Sequence, residues 1–153
     1  MNTLNCTQSI TPYERDVFAW ANEQAAFIRA GRFELLDLEN IAEEILDVGK
    51  SEKREIASRM VVLLGHLLKW KFQPTKRSTS WQRTMKLQRR LIDDHLDEVP
   101  SLRPQLKDEK WKWRVYSDAV ALALKETRLD SEVFPEVCPW SMEAILQEGW
   151  FPE

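Results

Sequence analysis

Residues 43 to 55, EEILDVGKSEKRE, carry carboxylates at spacings that could hold a metal ion. The stretch contains Glu-x-x-Asp at Glu44 and Asp47, followed by Glu-x-x-Glu at Glu52 and Glu55. Paired carboxylates one helical turn apart serve all-helical nucleotide pyrophosphatases, because Mg²⁺ takes oxygen ligands and bridges to phosphates. Here the two patterns occur in the reverse order and fall on one predicted helix. A Mg²⁺-dependent nucleotide or phosphate hydrolase using these four residues is therefore one hypothesis.

The same stretch lies on a heptad-like seam, which predicts a structural role for part of it. Steps of three and four connect Leu38, Ile41, Ile45, Val48, Glu52, Glu55, Arg59, Val62 and His66. This spacing is typical of a helix packed at a shallow angle in a bundle. Glu52, Glu55, Arg59 and His66 are accordingly predicted to form a structural polar layer, since such a layer can fix helix register without adding stability.

The other polar side chains of this region are predicted to lie at the surface or at the margin of the core. Glu43 and Asp47 point away from the seam and Glu44 lies on its flank, which predicts a solvated helix face. A ferritin-like di-iron site needs Glu-x-x-His on two helices, and neither histidine has a glutamate three positions before it. We expect His66 to be a hydrogen-bonded histidine at the core margin and His95 to be exposed.

A basic segment follows the seam. Residues 66 to 90 contain eight basic side chains and no acid, whereas residues 129 to 153 contain six acids and no base. The basic side chains are Lys69, Lys71, Lys76, Arg77, Arg83, Lys86, Arg89 and Arg90. With Trp70, Phe72 and Trp81 among them, they could bind an anion or nucleic acid through phosphate contacts and base stacking. The pI near 5.6 argues against a dedicated nucleic-acid binder. The alternative is that the aromatic residues are core and the bases pair with the acidic C-terminal segment.

Capping signals define the first two helices. The sequence TPYE, with Thr11 as cap, predicts a helix from about residue 12 to 30, and Gly31 lies where a C-terminal cap belongs. Asp37 can cap a second helix that begins at Leu38 and continues to about residue 72. A break near Gly49 is the alternative, because glycine inside a helix costs about 1 kcal/mol relative to alanine.

Three further helices complete a predicted all-α fold. The capping box Thr79-x-x-Gln82 opens a helix that ends before Pro100, the next follows PSLRP and runs to about residue 127, and a short one lies between Pro139 and Gly149. No alternating strand pattern of useful length occurs. We therefore predict one domain over residues 1–153, a single helical bundle of about four main helices plus a short C-terminal helix, with a flexible N-terminus at residues 1–10.

Composition excludes several functional classes. The four glycines are dispersed, so glycine-rich phosphate loops and dinucleotide fingerprints are ruled out, and we expect no cofactor. Cys6 and Cys138 form no ligand pattern and are predicted to be free thiols, although the sequence leaves a disulfide open. The start MNTLNCTQSI lacks the features of a secretory signal, and the apolar runs are shorter than the roughly 20 residues of a membrane helix. We expect a cytoplasmic protein that does not bind membranes.

Several blocks together resemble a known family. These are YERDVFAWANEQAAFIRAGRF, LDLENIAEEILDVGKSEKRE, HLLKWKFQP with SW and QR after it, and CPWSMEAILQ. They resemble the bacterial, largely cyanobacterial, family called domain of unknown function twenty-nine, and the likeness covers nearly the whole chain. The ending QEGWFPE departs from the more acidic ends of that family. The resemblance implies an all-helical fold and no established activity, so it carries no functional residues over to this chain.

These features favour a non-catalytic cytoplasmic interaction module over an enzyme. A long amphipathic helix and seven tryptophans suit packing and contact with a protein partner or a second copy. The alternatives are the hydrolase and an anion or nucleic-acid binder that uses the basic segment.

Overall fold

The fold of residues 10–153, which a computed structural model describes, is an all-α helical bundle, as predicted. The α-helices are α1 (Val17–Arg29), α2 (Leu38–Phe72), α3 (Thr79–Glu98), α4 (Glu109–Thr127) and the short α5 (Met142–Leu146). Short 3-10 helices connect them at Phe33–Leu35, Pro74–Lys76, Pro100–Lys107 and Ser131–Val133. None of the described helices is both long enough and apolar enough to cross a membrane. The predicted flexible N-terminus and Cys6 fall mainly on residues 1–9, outside the described part.

Two predicted N-terminal caps are wrong. The caps of α1 and α3 are Asp16 and Ser78, whose side chains accept hydrogen bonds from Ala19 N and Trp81 N at 3.0 and 3.2 Å. Residues 13–15 form a turn before α1, and Thr11 instead donates through its backbone N–H and its hydroxyl to Glu23. An Asp or Ser placed directly before the first turn satisfies its free N–H groups, which is why these residues rather than the threonines cap the helices.

α2 is continuous over 35 residues, so the predicted span from Leu38 to Phe72 is confirmed and the alternative of a break near Gly49 is wrong. Asp37 caps it as expected, accepting from Asn40 N at 3.3 Å. Gly31, with φ of 69°, ends α1 in the left-handed conformation that favours glycine. The chain divides into two compact units at Lys50 and Ser51, inside α2.

Asp37 organises the first unit, residues 10–50. Its Oδ2 accepts a hydrogen bond from Trp20 Nε1 at 3.1 Å and from Asn40 Nδ2 at 2.7 Å, and its backbone N–H donates to Gln24 Oε1 at 2.8 Å. The hydrogen bond from Asn40 lowers the pKa of Asp37, which favours the ionised form. Trp20, Gln24 and Phe27 are the buried face of α1. The unit is therefore held by a small apolar face and one aspartate that caps α2.

The second unit, residues 51–153, holds the main hydrophobic core. α2 contributes a stripe at helical spacing, to which α3 adds Met85 and Ile92, and α4 adds Val115 and Ala119. The residues of the α2 stripe are Ile56, Met60, Leu63, Leu64, Leu67 and Leu68, all at most 1% exposed. The predicted seam runs beside this stripe rather than along it.

Contacts at both ends of the helices define their directions within the second unit. Lys69 of α2 lies over the Trp81 ring of α3, and Glu52 of α2 pairs with His95 of α3, so the two helices are antiparallel. Lys69 also pairs with Glu126 of α4, and Gly65 faces Leu122 one turn earlier, so α2 and α4 are parallel. The connection Pro100–Lys107 returns the chain from α3 to α4, as this arrangement requires.

Replacing Gly49 by alanine is expected to stabilise the protein by about 0.5–1 kcal/mol. An added Cβ at Gly49 meets nothing within 4 Å, and alanine loses less backbone entropy than glycine in a helix interior. The matched control is Gly65→Ala, where the Cβ would approach Leu122 Cδ2 at 3.2 Å, so that the gain is reduced or reversed. Urea unfolding followed by circular dichroism measures both. Destabilisation by Gly49→Ala would contradict a helix that is continuous at this position.

Candidate functional site

Two of the candidate carboxylates of the first unit, those of Glu44 and Asp47, have partners nearby in the same unit. Glu44 accepts a hydrogen bond from the Tyr13 hydroxyl at 2.6 Å, and this bond, followed by burial, raises the pKa of Tyr13. Asp47 lies 3.1 Å from Lys50 Nζ, and Glu43 is exposed. The ion pair between Lys50 and Asp47 is exposed, and a single exposed ion pair contributes little to stability. The hydrolase hypothesis, which needs these residues free to bind an ion, stays a prediction.

The predicted polar layer of the second unit is divided between different partners. Arg59 Nη2 donates to Glu55 Oε1 at 2.6 Å, one turn back on α2, and this bond lowers the pKa of Glu55. Arg59 Nε is buried and has no hydrogen-bond partner among the described residues. Glu52 pairs across to α3 with His95. His66 is half-buried, its Nδ1 lies 2.8 Å from the Val62 carbonyl oxygen, and burial lowers its pKa.

His95 is buried, and the expectation that it is exposed is wrong. The residue is 7% exposed, and its Nε2 lies 3.1 Å from Glu52 Oε2. Its acidic sequence neighbours Asp93 and Asp94 are exposed, so the burial of His95 depends on its contact with α2 and not on its neighbours in sequence. The short connection between α2 and α3 could have revealed the pairing, since residues roughly equally far from the turn of an antiparallel hairpin lie opposite each other.

Half of the eight basic side chains proposed to bind an anion take part in the internal structure of the second unit. Lys69 is buried against Glu126, and Arg77 lies 5.0 Å from the centroid of the Trp70 ring and donates to the Trp70 carbonyl oxygen at 2.9 Å. Lys71 donates to the carbonyl oxygen of Glu153. Trp70, Phe72 and Trp81 pack against the core, as the alternative interpretation predicted.

Arg89 is the basic side chain most involved in holding the C-terminal segment. It is 6% exposed, and its guanidinium donates to the carbonyl oxygens of Ile145 at 2.8 Å and Trp150 at 2.7 Å. Burial lowers the pKa of Arg89, although guanidinium groups remain charged in proteins. Arg89 also lies 6.0 Å from the centroid of the Phe151 ring. The predicted attraction between the two segments is therefore made here through backbone carbonyls rather than through carboxylates.

The four remaining basic side chains of the segment, Lys76, Arg83, Lys86 and Arg90, are exposed. Lys86 lies 4.0 Å from Glu148, at the limit of an ion pair, and Lys76 is exposed beyond α2. Arg83 and Arg90, with Lys86, line a pocket of about 480 Å³ between α3 and the C-terminal segment, which also has apolar walls. These exposed side chains are the ones that would serve the anion-binding hypothesis, and nothing in their geometry fixes a phosphate.

The first unit exposes a set of large apolar side chains. On α1, Phe18 is 78% exposed and Ile28 is also exposed, and helical spacing places both on one face of that helix. On α2, Ile45 is 67% exposed and lies on one helix face with Leu38 and Val48. The buried residues of α1 lie at other positions, so these apolar faces of the first unit are at the surface rather than in the core.

Arg89→Ala is expected to destabilise the protein by about 2–3 kcal/mol and to loosen residues 141–153, because two carbonyl oxygens lose charged donors. The neighbouring Arg90→Ala is the matched control, since Arg90 is exposed and should change the free energy of unfolding by less than about 0.5 kcal/mol. Urea unfolding gives the free energies, and hydrogen exchange locates the loosened segment. Equal effects of the two substitutions would refute the assignment of Arg89 as the anchor.

Comparisons with known proteins place the chain in a family. The profile described as "Domain of unknown function DUF29" matches residues 12–151. A comparison with curated proteins found no match, and a comparison with solved structures found none either. The matched range includes every helix described above and all the candidate residues. The family resemblance of the sequence is thus confirmed, and the chain belongs to the DUF29 family, a domain of unknown function.

Proposed function

We propose that this protein is a non-catalytic interaction module whose first unit binds a protein partner carrying an apolar helix face flanked by basic residues. The observation that supports this most directly is the exposure of two apolar stripes at heptad-like spacing. One consists of Phe18, Ala21 and Ile28 on α1, and the other of Leu38, Ile45 and Val48 on α2. Such spacing is typical of helix faces that pack against another helix.

The apolar stripes are large enough to matter energetically. Burying a Phe or Ile side chain that was exposed contributes about 1.5–3 kcal/mol. Large apolar side chains that are exposed as a group, rather than singly, mark interaction surfaces on soluble proteins. Phe18, Leu38 and Ile45 are the strongest candidates for such contacts because each exposes at least two thirds of its surface.

Charge selects the kind of partner. Residues 1–50 contain nine Asp or Glu and four Lys or Arg, a net charge of −5. Because the whole chain carries −3, residues 51–153 carry +2. A symmetric dimer through the first unit would bring two acidic surfaces together, which is unfavourable. A partner with basic residues around an apolar stripe complements both the charge and the apolar character of this unit.

The wider setting follows from the sequence. We place the protein in the cytoplasm of a bacterium, in keeping with the family resemblance and with the sequence features discussed above. Nucleic acid is disfavoured as a partner by the acidic pI. The Mg²⁺-dependent hydrolase and the anion binder stay alternative predictions.

The proposal predicts binding of an amphipathic test peptide, about three heptads long, with leucine at the core positions and lysine elsewhere. The double substitution Phe18→Ser, Ile45→Ser should weaken binding by more than about tenfold, because two apolar contacts are lost. Affinity should also fall with salt, since the lysines face an acidic unit. Fluorescence anisotropy of a labelled peptide measures both effects.

The matched control is Val137→Ser, which changes an apolar residue that is 72% exposed in the second unit. It should bind the peptide as the unsubstituted protein does, and a scrambled peptide should bind neither. Equal binding by the double variant and the control would reject the stripes as the binding surface. If sedimentation showed a stable dimer that the double variant does not form, the partner of this surface would be a second copy of the chain and not a basic protein.

A further inference from the structure

Three potential metal ligands from two helices meet in the second unit. Glu52 and Glu55 lie one turn apart on α2, and His95 comes from α3. Each offers one ligand atom, and these atoms all lie within 4.8 Å of one another. Among residues 10–153 this is the one group of three or more carboxylate, imidazole or thiol side chains found at such distances. Exposed carboxylates often lie close together without a metal ion, so the buried histidine is what distinguishes this group.

His95 brings an unsatisfied nitrogen to the two carboxylates. Its Nε2 is buried and has no hydrogen-bond partner in the described structure. The 3.1 Å separation from Glu52 Oε2 is short enough for an ion pair, but the two atoms are not aligned as a hydrogen bond. A neutral imidazole nitrogen and a carboxylate oxygen both present lone pairs, and buried polar groups without partners are rare. A cation between them would satisfy both.

We propose that Glu52, Glu55 and His95 bind a divalent first-row transition metal ion such as Mn²⁺ or Co²⁺. One imidazole nitrogen with two carboxylates favours this class over Mg²⁺ and Ca²⁺, which take oxygen ligands. Ligands about 2.1–2.2 Å from an octahedral ion lie about 3.0–3.1 Å apart along an edge, which matches the His95 to Glu52 distance. The partly exposed Glu55 side chain can adjust to complete the site.

The remaining coordination positions would face water. The side chains of Glu52 and Glu55 are 37% and 47% exposed, whereas that of His95 is 8% exposed. The site therefore has one rigid buried ligand and two ligands at the surface. Such a site is open to an ion from solvent and keeps room for water or for an oxygen of another ligand.

Arg59 competes with a metal ion for the carboxylate of Glu55. Its Nη2 donates to Glu55 Oε1 at 2.6 Å, so its positive charge already neutralises one of the two carboxylates. A bound dication would be repelled by the guanidinium and would share Glu55 with it. Arg59→Gln, which removes this charge, is therefore expected to strengthen metal binding, whereas a purely structural ion-pair network would show no such gain.

Mn²⁺ is the probe for the test, because thiols such as Cys138 favour softer ions. Free Mn²⁺ is measured by electron paramagnetic resonance, and its position is given by broadening of amide and imidazole signals in NMR spectra. We expect one Mn²⁺ per chain, with the strongest broadening at Glu52, Glu55 and His95. Excess Mg²⁺ should displace it poorly.

Substitutions then distinguish Mn²⁺ binding at this site from nonspecific binding to exposed acidic side chains. Glu52→Gln and His95→Gln should each weaken Mn²⁺ binding by at least about tenfold, and Arg59→Gln should strengthen it. Glu43→Gln, at an exposed glutamate of the same helix, is the matched control and should leave the affinity unchanged. Because His95 is buried, circular dichroism checks that each variant is folded, and Glu52→Gln provides the decisive result if His95→Gln is not.

Three outcomes would overturn the proposal. The first is the absence of localised broadening by Mn²⁺. The second is wild-type affinity in a folded Glu52→Gln protein, and the third is displacement by Mg²⁺ at equal concentration. The first two would make the Glu52 and His95 contact an ion pair between helices and nothing more, and the third would contradict the preference for a transition metal ion.

Discussion

The structure depends on how α2 is packed along its length. From Ile56 to Leu68 this helix presents an apolar stripe that α3 and α4 cover, so that each stripe residue is almost fully buried. From Leu38 to Val48 the same helix leaves four large apolar side chains exposed, those of Leu38, Ile45, Leu46 and Val48. The helix itself is continuous, because its backbone hydrogen bonds pass through Gly49 without interruption. The half from Ile56 to Leu68 belongs to the hydrophobic core, and the half from Leu38 to Val48 presents an exposed apolar surface.

Polar interactions in the second unit follow from the same packing. Antiparallel α2 and α3 bring Glu52 to His95, and parallel α2 and α4 bring Lys69 to Glu126. Each pair joins a group that is mostly buried to one that is partly exposed, so the carboxylates can remain hydrated while the helices stay in register. Arg89 instead donates to backbone carbonyl oxygens. It thereby holds a C-terminal segment that has little regular secondary structure of its own.

Sequence periodicity predicted the helices well, with α2 correct at both ends because Asp37 and Pro74 delimit a long amphipathic pattern, whereas the capping boxes misplaced the starts of α1 and α3. Sequence patterns did not predict the features that depend on contacts between elements, such as which helix faces are buried. The 3-4 spacing at Leu38 and Ile45 predicts a packed face, but spacing cannot tell whether a partner helix belongs to the same chain. The burial of His95 was missed because it depends on the pairing of two helices. The role of Arg89 was missed because its acceptors are carbonyl oxygens, which every residue carries.

Hydrogen exchange along α2 tests the central claim of unequal packing most directly. Amide protection reflects local opening, and a helical segment without tertiary cover opens more easily than one in a core. The account predicts slow exchange from Ile56 to Leu68 and exchange faster by orders of magnitude from Leu38 to Val48 in the free protein. Uniformly slow exchange over the whole helix would contradict it, because the exposed half would then have to be covered and could not serve as a free binding surface.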